Sequence, residues 1–408
     1  MFDSAWVGYE QFIPMMKCCS PLLLELTPED PGIIVTQSVH KQQAGFSQTS
    51  QIHKKDNHIN GQDRYVSHKR FNNSYMMHSS TSPFYPLFAA LDVNAKIHEG
   101  KAGRKLWNNC VKLGIEARKM VLNNCKYFKP LVPPIVNGKK WEEGDTEEMA
   151  NNIDYFLLKP GEKWHGFEGY GEKQYFIDPC KLNLLTCGIN IETGEYEDFG
   201  IPGVIVAHFL RENMIIPEKC DLNDILFLLT PAESFAKIEN LVNKLCEFEH
   251  LVDKEVKLEE ILPDLVQRHE KYKDYTIKRL CQELHNLYKN KNISTIQKKL
   301  FLKEYFPEYV LNPQLANYEF VRGKGELIPL HKCKGRIALE GALPYPPGII
   351  CVQPGERWND TTIQYFLCLE EIINQFPGFE PEIQGVYLQK EEGKIIIYGI
   401  VLKKEYES

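Results

Sequence analysis

The sequence predicts a mixed α/β protein of two or three domains. Its 408 residues exceed the usual size of one domain. Short apolar runs at residues 32–36 and 224–229 are bounded by turn residues, which is typical of buried strands. Residues 103–125 carry apolar side chains at helical spacing, which predicts a long amphipathic helix between two domains. Strands and helices thus occur in the same parts of the chain, and this indicates the α/β class.

The N-terminal region combines one predicted strand with polar segments. The strand at residues 32–36 leads into a turn at Lys41. Residues 53–70 are rich in His, Lys, Arg and Asn and are predicted to be an exposed loop. A phosphate- or nucleotide-binding patch is the alternative for this loop. The hydroxyl-rich residues 76–83 predict a turn, with Pro83 early in the next helix and a hydroxyl residue as its N-cap.

The rest of the chain predicts further helices and strands. A Thr-Pro-Ala-Glu sequence at residues 230–233 predicts a helix start with Thr230 as N-cap. That helix should bury one apolar face, made of Phe235, Ile238, Leu241, Val242, Leu245 and Phe248. The other elements are a helix at residues 202–213, amphipathic helices near residues 276–290 and 361–376, a Pro- and Gly-rich segment at residues 343–348, and a strand at residues 395–402.

Composition excludes several classes of function. The net charge of −7 argues against a nucleic-acid-binding protein, which usually has a basic face. The 12 cysteines include no C-x-x-C pair, so a structural zinc site is not expected. His165 lies among aromatic residues and is expected to be a packed side chain rather than a metal ligand. Neither a signal peptide nor a transmembrane helix is predicted, and we expect a cytoplasmic protein.

The residues with the clearest chemical content lie near the start. Asp3 is close to Trp6, and Lys41 follows among serine, histidine and small residues, a low-charge setting suited to a neutral amine. An enzyme that uses pyridoxal phosphate (PLP) needs an amine for a Schiff base, an anion at the pyridine nitrogen and hydroxyl or amide donors at the phosphate. Lys41, Asp3 and Ser38 have these chemistries. By itself, however, so short a pattern more often means a surface lysine and a turn aspartate.

Longer motifs resemble the bacterial inducible and biosynthetic ornithine decarboxylases, which belong to the ornithine/lysine/arginine decarboxylase family of fold type I PLP enzymes. The resemblance is carried by Phe2-Asp3-Ser4-Ala5-Trp6, by Ser38-Val39-His40-Lys41-Gln42-Gln43-Ala44-Gly45, and by residues 46–56, 78–83, 164–170, 178–181, 198–202, 216–219, 340–348 and 377–379. It covers essentially the whole chain. It implies an aspartate aminotransferase-like PLP fold followed by α+β C-terminal domains, and PLP-dependent decarboxylation of L-ornithine to putrescine and CO2 in polyamine biosynthesis.

The resemblance assigns three residues to the cofactor ring, and the small size of Ala5 suits a fourth place beside it. It implies that Lys41 forms the Schiff base with PLP and that Asp3 is the partner of the pyridine nitrogen. Trp6 is implied to face the phenolic oxygen of the ring. Ala5 is small enough to let the ring lie against the backbone.

The remaining site residues are implied to contact the phosphate and the substrate. Ser38 and His40 are implied to lie on the phosphate side, and Ser80 to contact the phosphate across a dimer interface. Glu218 is implied to receive the distal ammonium of a diamino acid, because a cation that enters a closed site must be paired. Lys41, His40 and a water are the alternatives for the group that returns a proton to Cα.

The family pattern contains parts that have no counterpart here. These are its N-terminal wing domain, the early strands of the PLP-binding domain, the first phosphate loop and the histidine that stacks on the ring. We therefore expect the C-terminal portion of a longer enzyme that is inactive, or binds PLP poorly, on its own. The expected units are the second half of the PLP-binding domain at residues 1–105, a small domain at residues 106–255 and a C-terminal decarboxylase domain at residues 256–408. The family implies a homodimer and higher oligomers.

Two alternatives to ornithine decarboxylation stay open at this point. The first keeps the fold and changes the substrate to lysine or arginine. The second is a non-catalytic truncated remnant that retains the dimer surfaces. Retention of Asp3, Ser38, Lys41 and Glu218 together argues against the remnant.

Overall fold

The computed structural model of the chain describes residues 1–345 and 348–407. Pro346 and Pro347, two residues of the predicted Pro- and Gly-rich segment, lie outside the described residues, as does Ser408. The structure confirms the mixed α/β class, with strands and helices in every part of the chain. No described helix is long and apolar enough to cross a membrane.

The N-terminal region is a small sheet followed by helices. Strand β1 pairs in parallel with β2, and β2 pairs in antiparallel with β3. Three short 3-10 turns lie between β1 and β2, at Glu10–Phe12, Pro14–Cys19 and Pro21–Leu23. The elements are β1 (Phe2–Asp3), β2 (Ile33–Ser38), α1 (Val39–Gln42), β3 (Ser50–Lys55), α2 (His68–Met76), α3 (Tyr85–His98) and α4 (Lys101–Asn124).

The middle region is a four-stranded antiparallel sheet packed on helices. Its strand order is β4-β7-β9-β8, and β5 pairs with β6 as a separate hairpin. Helices α4 and α6 pack against this sheet, and α7 packs against α4. The elements are β4 (Phe128–Pro130), β5 (Ile135–Val136), β6 (Lys139–Lys140), α5 (Thr146–Met149), β7 (Lys181–Thr186), α6 (Gly203–Glu212), β8 (Lys219–Asp221), β9 (Asp224–Leu228) and α7 (Phe235–Asp253).

The C-terminal region places helices beside a second antiparallel sheet. Its strand order is β10-β14-β13, and β11 pairs with β12. The elements are α8 (Leu258–Ile261), α9 (Pro263–Arg268), α10 (Ile277–Lys291), α11 (Ile293–Lys299), α12 (Pro313–Val321), β10 (Gly325–Pro329), β11 (Leu343–Pro344), α13 (Asp360–Gln375), β12 (Ile383–Gln384), β13 (Tyr387–Glu391) and β14 (Lys394–Leu402).

The long helix α4 lies at the centre of the main hydrophobic cluster. It buries Trp107, Val111, Ile115 and Val121 completely. The same cluster includes residues of the 3-10 turns after β1, of the middle sheet and of α13. The helix predicted at residues 103–125 is therefore confirmed, and it connects the N-terminal region to the middle sheet through a shared apolar core.

Three local predictions are wrong. Residues 53–55, the start of the loop predicted at residues 53–70, are instead the end of strand β3, because pairing with β2 outweighs their polar composition; His53 Nε2 lies 3.0 Å from Gln37 Oε1. Residues 68–70, the end of the predicted loop, begin helix α2. The helix after β9 starts at Phe235, since Ser234 rather than Thr230 accepts the capping bond from Lys237 N. Phe235 is consequently 53% exposed at the first helical position.

The third wrong prediction is the helix start that has Pro83 as an early helical residue and a hydroxyl residue before it as N-cap. Helix α3 begins at Tyr85 with Pro86 in its first turn, and Phe84 occupies the cap position. Proline is favoured in the first turn of a helix, and both Pro83 and Pro86 fit this preference. The preference alone therefore could not distinguish the two helix starts.

Candidate functional site

The site is organised by the parallel pairing of β1 with β2. Asp3 is opposite Thr36, and the backbone N–H of Ser4 donates to Thr36 O at 2.8 Å. Both strands therefore end at the same edge of the sheet. The segment after β1, with Ala5 and Trp6, meets the segment after β2, which holds the predicted amine Lys41.

Lys41 faces the indole of Trp6. It is the third residue of α1 and is exposed, and its Nζ lies 5.5 Å from the centroid of the Trp6 ring. Helix α1 is held at its start because the N–H groups of Val39 and His40 both donate to Thr49 O, at 2.9 and 3.2 Å. The Lys41 ammonium is thus presented from a short, anchored turn.

Glutamine side chains fasten α1 to the rest of the molecule. Gln42 is 3% exposed, and its Nε2 donates to Leu229 O at 3.1 Å. Gln43 Nε2 donates to Gly8 O at 2.6 Å, which ties the end of α1 to the segment that carries Trp6. These bonds fix the position of Lys41 relative to Trp6.

The other residues predicted to bind the cofactor lie around the same edge of the sheet. Asp3 is exposed, and its Oδ1 accepts from Ala5 N at 3.0 Å. Ser38 is the last residue of β2 and makes no side-chain capping bond to α1. His40 Nδ1 lies 2.9 Å from Thr49 O, so the neutral ring carries its proton on Nδ1 and leaves Nε2 for a ligand.

Glu218 and Ser80 approach the site to different degrees. Glu218 is exposed, and its neighbour Lys219 places Nζ 4.8 Å from the centroid of the Trp6 ring. The Ile-Pro-Glu-Lys segment therefore reaches the Trp6 side of the site. Ser80 is exposed, and the hydrogen bond described for its Oγ, from Ser82 N, stays within its own turn.

Several residues at Trp6 have no role predicted from the sequence. Lys181 donates from Nζ to Trp6 O at 3.0 Å, and Asp178, which pairs with Lys181, accepts a hydrogen bond from Tyr9 OH. Lys219, whose Nζ lies near the Trp6 ring, belongs to a family motif but has no predicted function. The signal that could have found these residues is their place in the motifs at residues 178–181 and 216–219.

Two cavities adjoin these residues. One of about 410 Å³ is lined by residues that include Asp3, Glu10 and Lys181. The other, of about 830 Å³, is lined by residues that include Lys181 and Lys219. Within residues 1–345 and 348–407, no group of three or more His, Cys, Asp or Glu side chains is placed to hold a metal ion.

Glu10 is a buried acid beside the first cavity. It is 2% exposed, and its Oε2 has no hydrogen-bond partner among the residues that the structure describes. Burial raises the pKa of Glu10 to about 7, with a smaller contribution from Asp178. Because the folded protein binds this proton more tightly than the unfolded chain, the stability linked to Glu10 is present at low pH. It is lost as the pH rises through about 7.

Replacement of Glu10 by glutamine should therefore stabilise the protein at alkaline pH. We expect a gain of about 1–3 kcal/mol near pH 8 that shrinks toward about pH 5. The thermal midpoint measured across that range checks this, with the exposed Glu29→Gln as a control. A gain that does not depend on pH would show that proton binding at Glu10 is not the cause.

The comparisons with known proteins agree on one family. The family model described as "Orn/Lys/Arg decarboxylase, major domain" matches residues 1–237, and "Orn/Lys/Arg decarboxylase, C-terminal domain" matches residues 294–403. The chain is 63% identical over 404 residues to "Ornithine decarboxylase" of Haemophilus influenzae, covering 98% of this chain and 56% of that protein.

More distant similarity gives the same result. "Inducible ornithine decarboxylase" of Escherichia coli is 59% identical, over 99% of this chain and 55% of that protein. "Lysine decarboxylase" of Hafnia alvei is 33% identical, over 99% and 52%. The solved structure of lysine decarboxylase A from Pseudomonas aeruginosa superposes with a TM-score of 0.87 at 30% identity, over 98% of this chain and 53% of that one. The chain thus spans about half the length of the curated relatives it matches, and it belongs to the Orn/Lys/Arg decarboxylase family.

Proposed function

We propose that the protein takes part in the PLP-dependent decarboxylation of L-ornithine to putrescine and CO2. The observation that carries this proposal is the parallel pairing of β1 and β2, which brings the segments after Asp3 and before Lys41 to one sheet edge, with Lys41 Nζ 5.5 Å from the centroid of the Trp6 ring. We further propose that residues 1–105 are half of an aspartate aminotransferase-like PLP domain. Residues 106–255 and 256–408 would then be the small and C-terminal domains.

The donor set at this edge suits PLP. The Lys41 amine is exposed and able to form a Schiff base, and the Asp3 carboxylate is exposed on the same edge. The hydroxyl of Ser38 and Nε2 of His40 are polar groups for the phosphate side. The half-buried Trp6 supplies a flat apolar surface and an indole N–H. These residues make up one wall of a site for the cofactor.

Each residue of the wall has a defined task in the reaction. When bound, PLP supplies an electron sink for the charge that the loss of CO2 leaves at Cα. Asp3 would hold a proton at the ring nitrogen and so stabilise that charge electrostatically. Lys41 would hold the cofactor between turnovers and yield its place to the substrate amine. Lys41 Nζ and His40 are the protein groups that can return a proton to Cα.

The comparisons support ornithine over lysine as the substrate. Relatives named ornithine decarboxylase are 59–63% identical to this chain, whereas a relative named lysine decarboxylase is 33% identical. Glu218 is the carboxylate that we propose for the distal ammonium of the substrate. Its exposed side chain adjoins Lys219, which contacts the Trp6 ring.

The test is a substrate panel in two settings. The 408-residue chain is assayed alone and after co-expression with the part of the Haemophilus enzyme outside the 404 aligned residues. We expect release of CO2 from ornithine well above that from lysine or arginine, and only in the complemented sample. Higher activity on lysine would overturn the substrate assignment. Absence of PLP binding and of activity in both settings would favour a non-catalytic remnant.

Replacement of Glu218 by glutamine should separate binding from chemistry. We expect KM for ornithine to rise by roughly 10- to 100-fold, because a hydrogen bond to a charged group contributes about 1.5–3 kcal/mol. Discrimination against a monoamino acid of similar length should fall in parallel. Steady-state kinetics with both substrates measure this, with the exposed Glu212→Gln as a control. Unchanged KM would remove Glu218 from the substrate site.

We also propose a homodimer in which Ser80 reaches the phosphate site of the other subunit. Support comes from the exposed apolar side chains on both sides of Ser80, among them Met77 at 75% and Tyr85 at 76% exposure. Surfaces of this kind are typical of protein interfaces. Analytical ultracentrifugation of the chain and of a Tyr85→Asp variant tests the association.

A further inference from the structure

Trp6, the indole that faces Lys41, is fixed by an ion pair from a distant part of the chain. We propose that Lys181, held by Asp178, is a positioning residue that sets Trp6 against Lys41 and Lys219. The consequence for catalysis rests on the proposed function, whereas the positioning itself does not.

Lys181 makes two charge-assisted bonds at one point. Its Nζ donates to Trp6 O at 3.0 Å and to Asp178 Oδ2 at 2.8 Å. The two side chains are 16% and 12% exposed, so the pair is largely withdrawn from water. Its Nζ also lies 5.8 Å from the centroid of the Trp6 ring. In such surroundings a bond from an ammonium group is stronger than at the surface, and the Trp6 carbonyl has little freedom to move.

Asp178 fastens the same segment at a second point. Its Oδ2 also accepts from Tyr9 OH at 2.6 Å, and its Oδ1 accepts from Cys180 N at 2.9 Å. Tyr9 is stacked on Trp107 of α4, with ring centroids 4.1 Å apart. The turn that follows β1 is therefore held at Trp6 and again at Tyr9 by one carboxylate and its lysine.

The turn that supplies this ion pair is itself held rigidly by Arg118. Arg118 is fully buried, and its guanidinium donates to the main-chain oxygens of Asp178, Pro179 and Lys181 at 2.7–3.2 Å. Among the described residues, its recorded hydrogen bonds go to main-chain oxygens alone, the fourth being Gly114 O. A buried arginine with such partners fixes the backbone geometry of the turn.

The turn at residues 178–181 is packed closely against helix α4. A Cβ on Gly114 of α4 would lie 2.3 Å from Pro179 O, so the helix backbone touches the turn directly. The chain of contacts runs from α4 through Arg118 to the turn, and from Lys181 to Trp6. Because Trp6 lies 5.5 Å from Lys41 Nζ and 4.8 Å from Lys219 Nζ, a movement of its carbonyl would change both spacings.

Hydrogen exchange of the 408-residue chain tests the positioning without any cofactor. We expect Lys181→Met to raise the exchange rates of amides in residues 4–12 by roughly 10-fold or more, and Lys181→Arg to restore most of the protection. Amides of α6 should keep their rates. Lys244→Met, which removes an exposed pair of the same i,i+3 spacing with Glu247, should change neither region.

A double variant covers the case in which the single variant fails to fold. Lys181→Met combined with Asp178→Asn removes both charges of the ion pair, so neither member is left unpaired, and we expect the same local increase in residues 4–12. Unchanged rates in residues 4–12, or an equal rise throughout the chain, would overturn the proposal. Either result would mean that the pair has no specific effect on the Trp6 segment.

The effect of Lys181 on catalysis is measured with the complemented enzyme, which is the chain co-expressed with the remaining part of the Haemophilus enzyme. We expect Lys181→Met to weaken PLP binding by roughly 10-fold and to lower kcat more than it raises KM, and Lys181→Arg to recover both. If the unaltered chain binds no PLP in any setting, the proposed function fails, and the exchange experiment still decides the role of Lys181. Local loosening of residues 4–12 with unchanged PLP affinity and kinetics would overturn the catalytic part.

Discussion

Replacement of Lys41 by alanine is expected to abolish decarboxylation by the complemented enzyme, with a loss of at least about 1,000-fold in kcat. The reason is that, among the described residues, the two other lysines whose Nζ lies near the Trp6 ring are held in other elements or pairs. Lys219 is the first residue of β8, a strand of the middle sheet, and Lys181 is paired with Asp178. The structure around Lys41 should survive, because α1 is held by Gln42 and by Thr49 O rather than by the lysine.

The covalent bond can be measured apart from the rate. Borohydride reduction in the presence of PLP, followed by peptide mass spectrometry, should label the peptide that contains Lys41 in the unaltered protein and leave it unlabelled in Lys41→Ala. Lys17→Ala, at an exposed lysine of the nearby 3-10 turn, should keep both label and activity. Labelling at another lysine, or substantial turnover by Lys41→Ala, would disprove the assignment.

The elements that could be predicted are those whose signal is local. Helix α4 and strand β9 were correctly predicted because the periodicity of their apolar residues lies within the segment itself. Strand β3 was not, because its residues are polar and its pairing partner β2 is elsewhere in the chain. The start of α7 was misplaced since Thr230 and Ser234 are both good N-caps and tertiary packing selects between them.

The site shows the same division between local and long-range information. Asp3 and Lys41 could be named from residue type and motif, but the common sheet edge of their segments comes from the parallel register of β1 and β2. The sequence around Lys181 contains no signal that this side chain binds Trp6 O, because the two residues are far apart in the chain. The sequence therefore indicates which residue types could bind the cofactor, but it does not indicate which residue positions Trp6.

The substitution Asp3→Asn should lower kcat of the complemented enzyme by roughly 100- to 1,000-fold while leaving PLP bound at Lys41. The range follows from the usual effect of removing one group that stabilises charge in the transition state. Asparagine retains the oxygen that accepts from Ala5 N at 3.0 Å, so the turn after β1 should keep its shape. What is lost is the negative charge that would hold a proton on the ring nitrogen.

Three variants separate the effect of that charge on kcat from the effect of the local structure. Asp3→Glu keeps the charge and should retain more kcat than Asp3→Asn, although its longer side chain cannot reproduce the bond to Ala5 N. Asp30→Asn is the matched control, because Asp30 also accepts from a main-chain amide, that of Thr27 at 2.7 Å, outside the site. Borohydride labelling of Lys41 should be equal in all three. If Asp3→Asn retained kcat within about threefold of the unaltered enzyme, the ring nitrogen would need no anion from β1, and the part of the proposed mechanism that depends on Asp3 would be wrong.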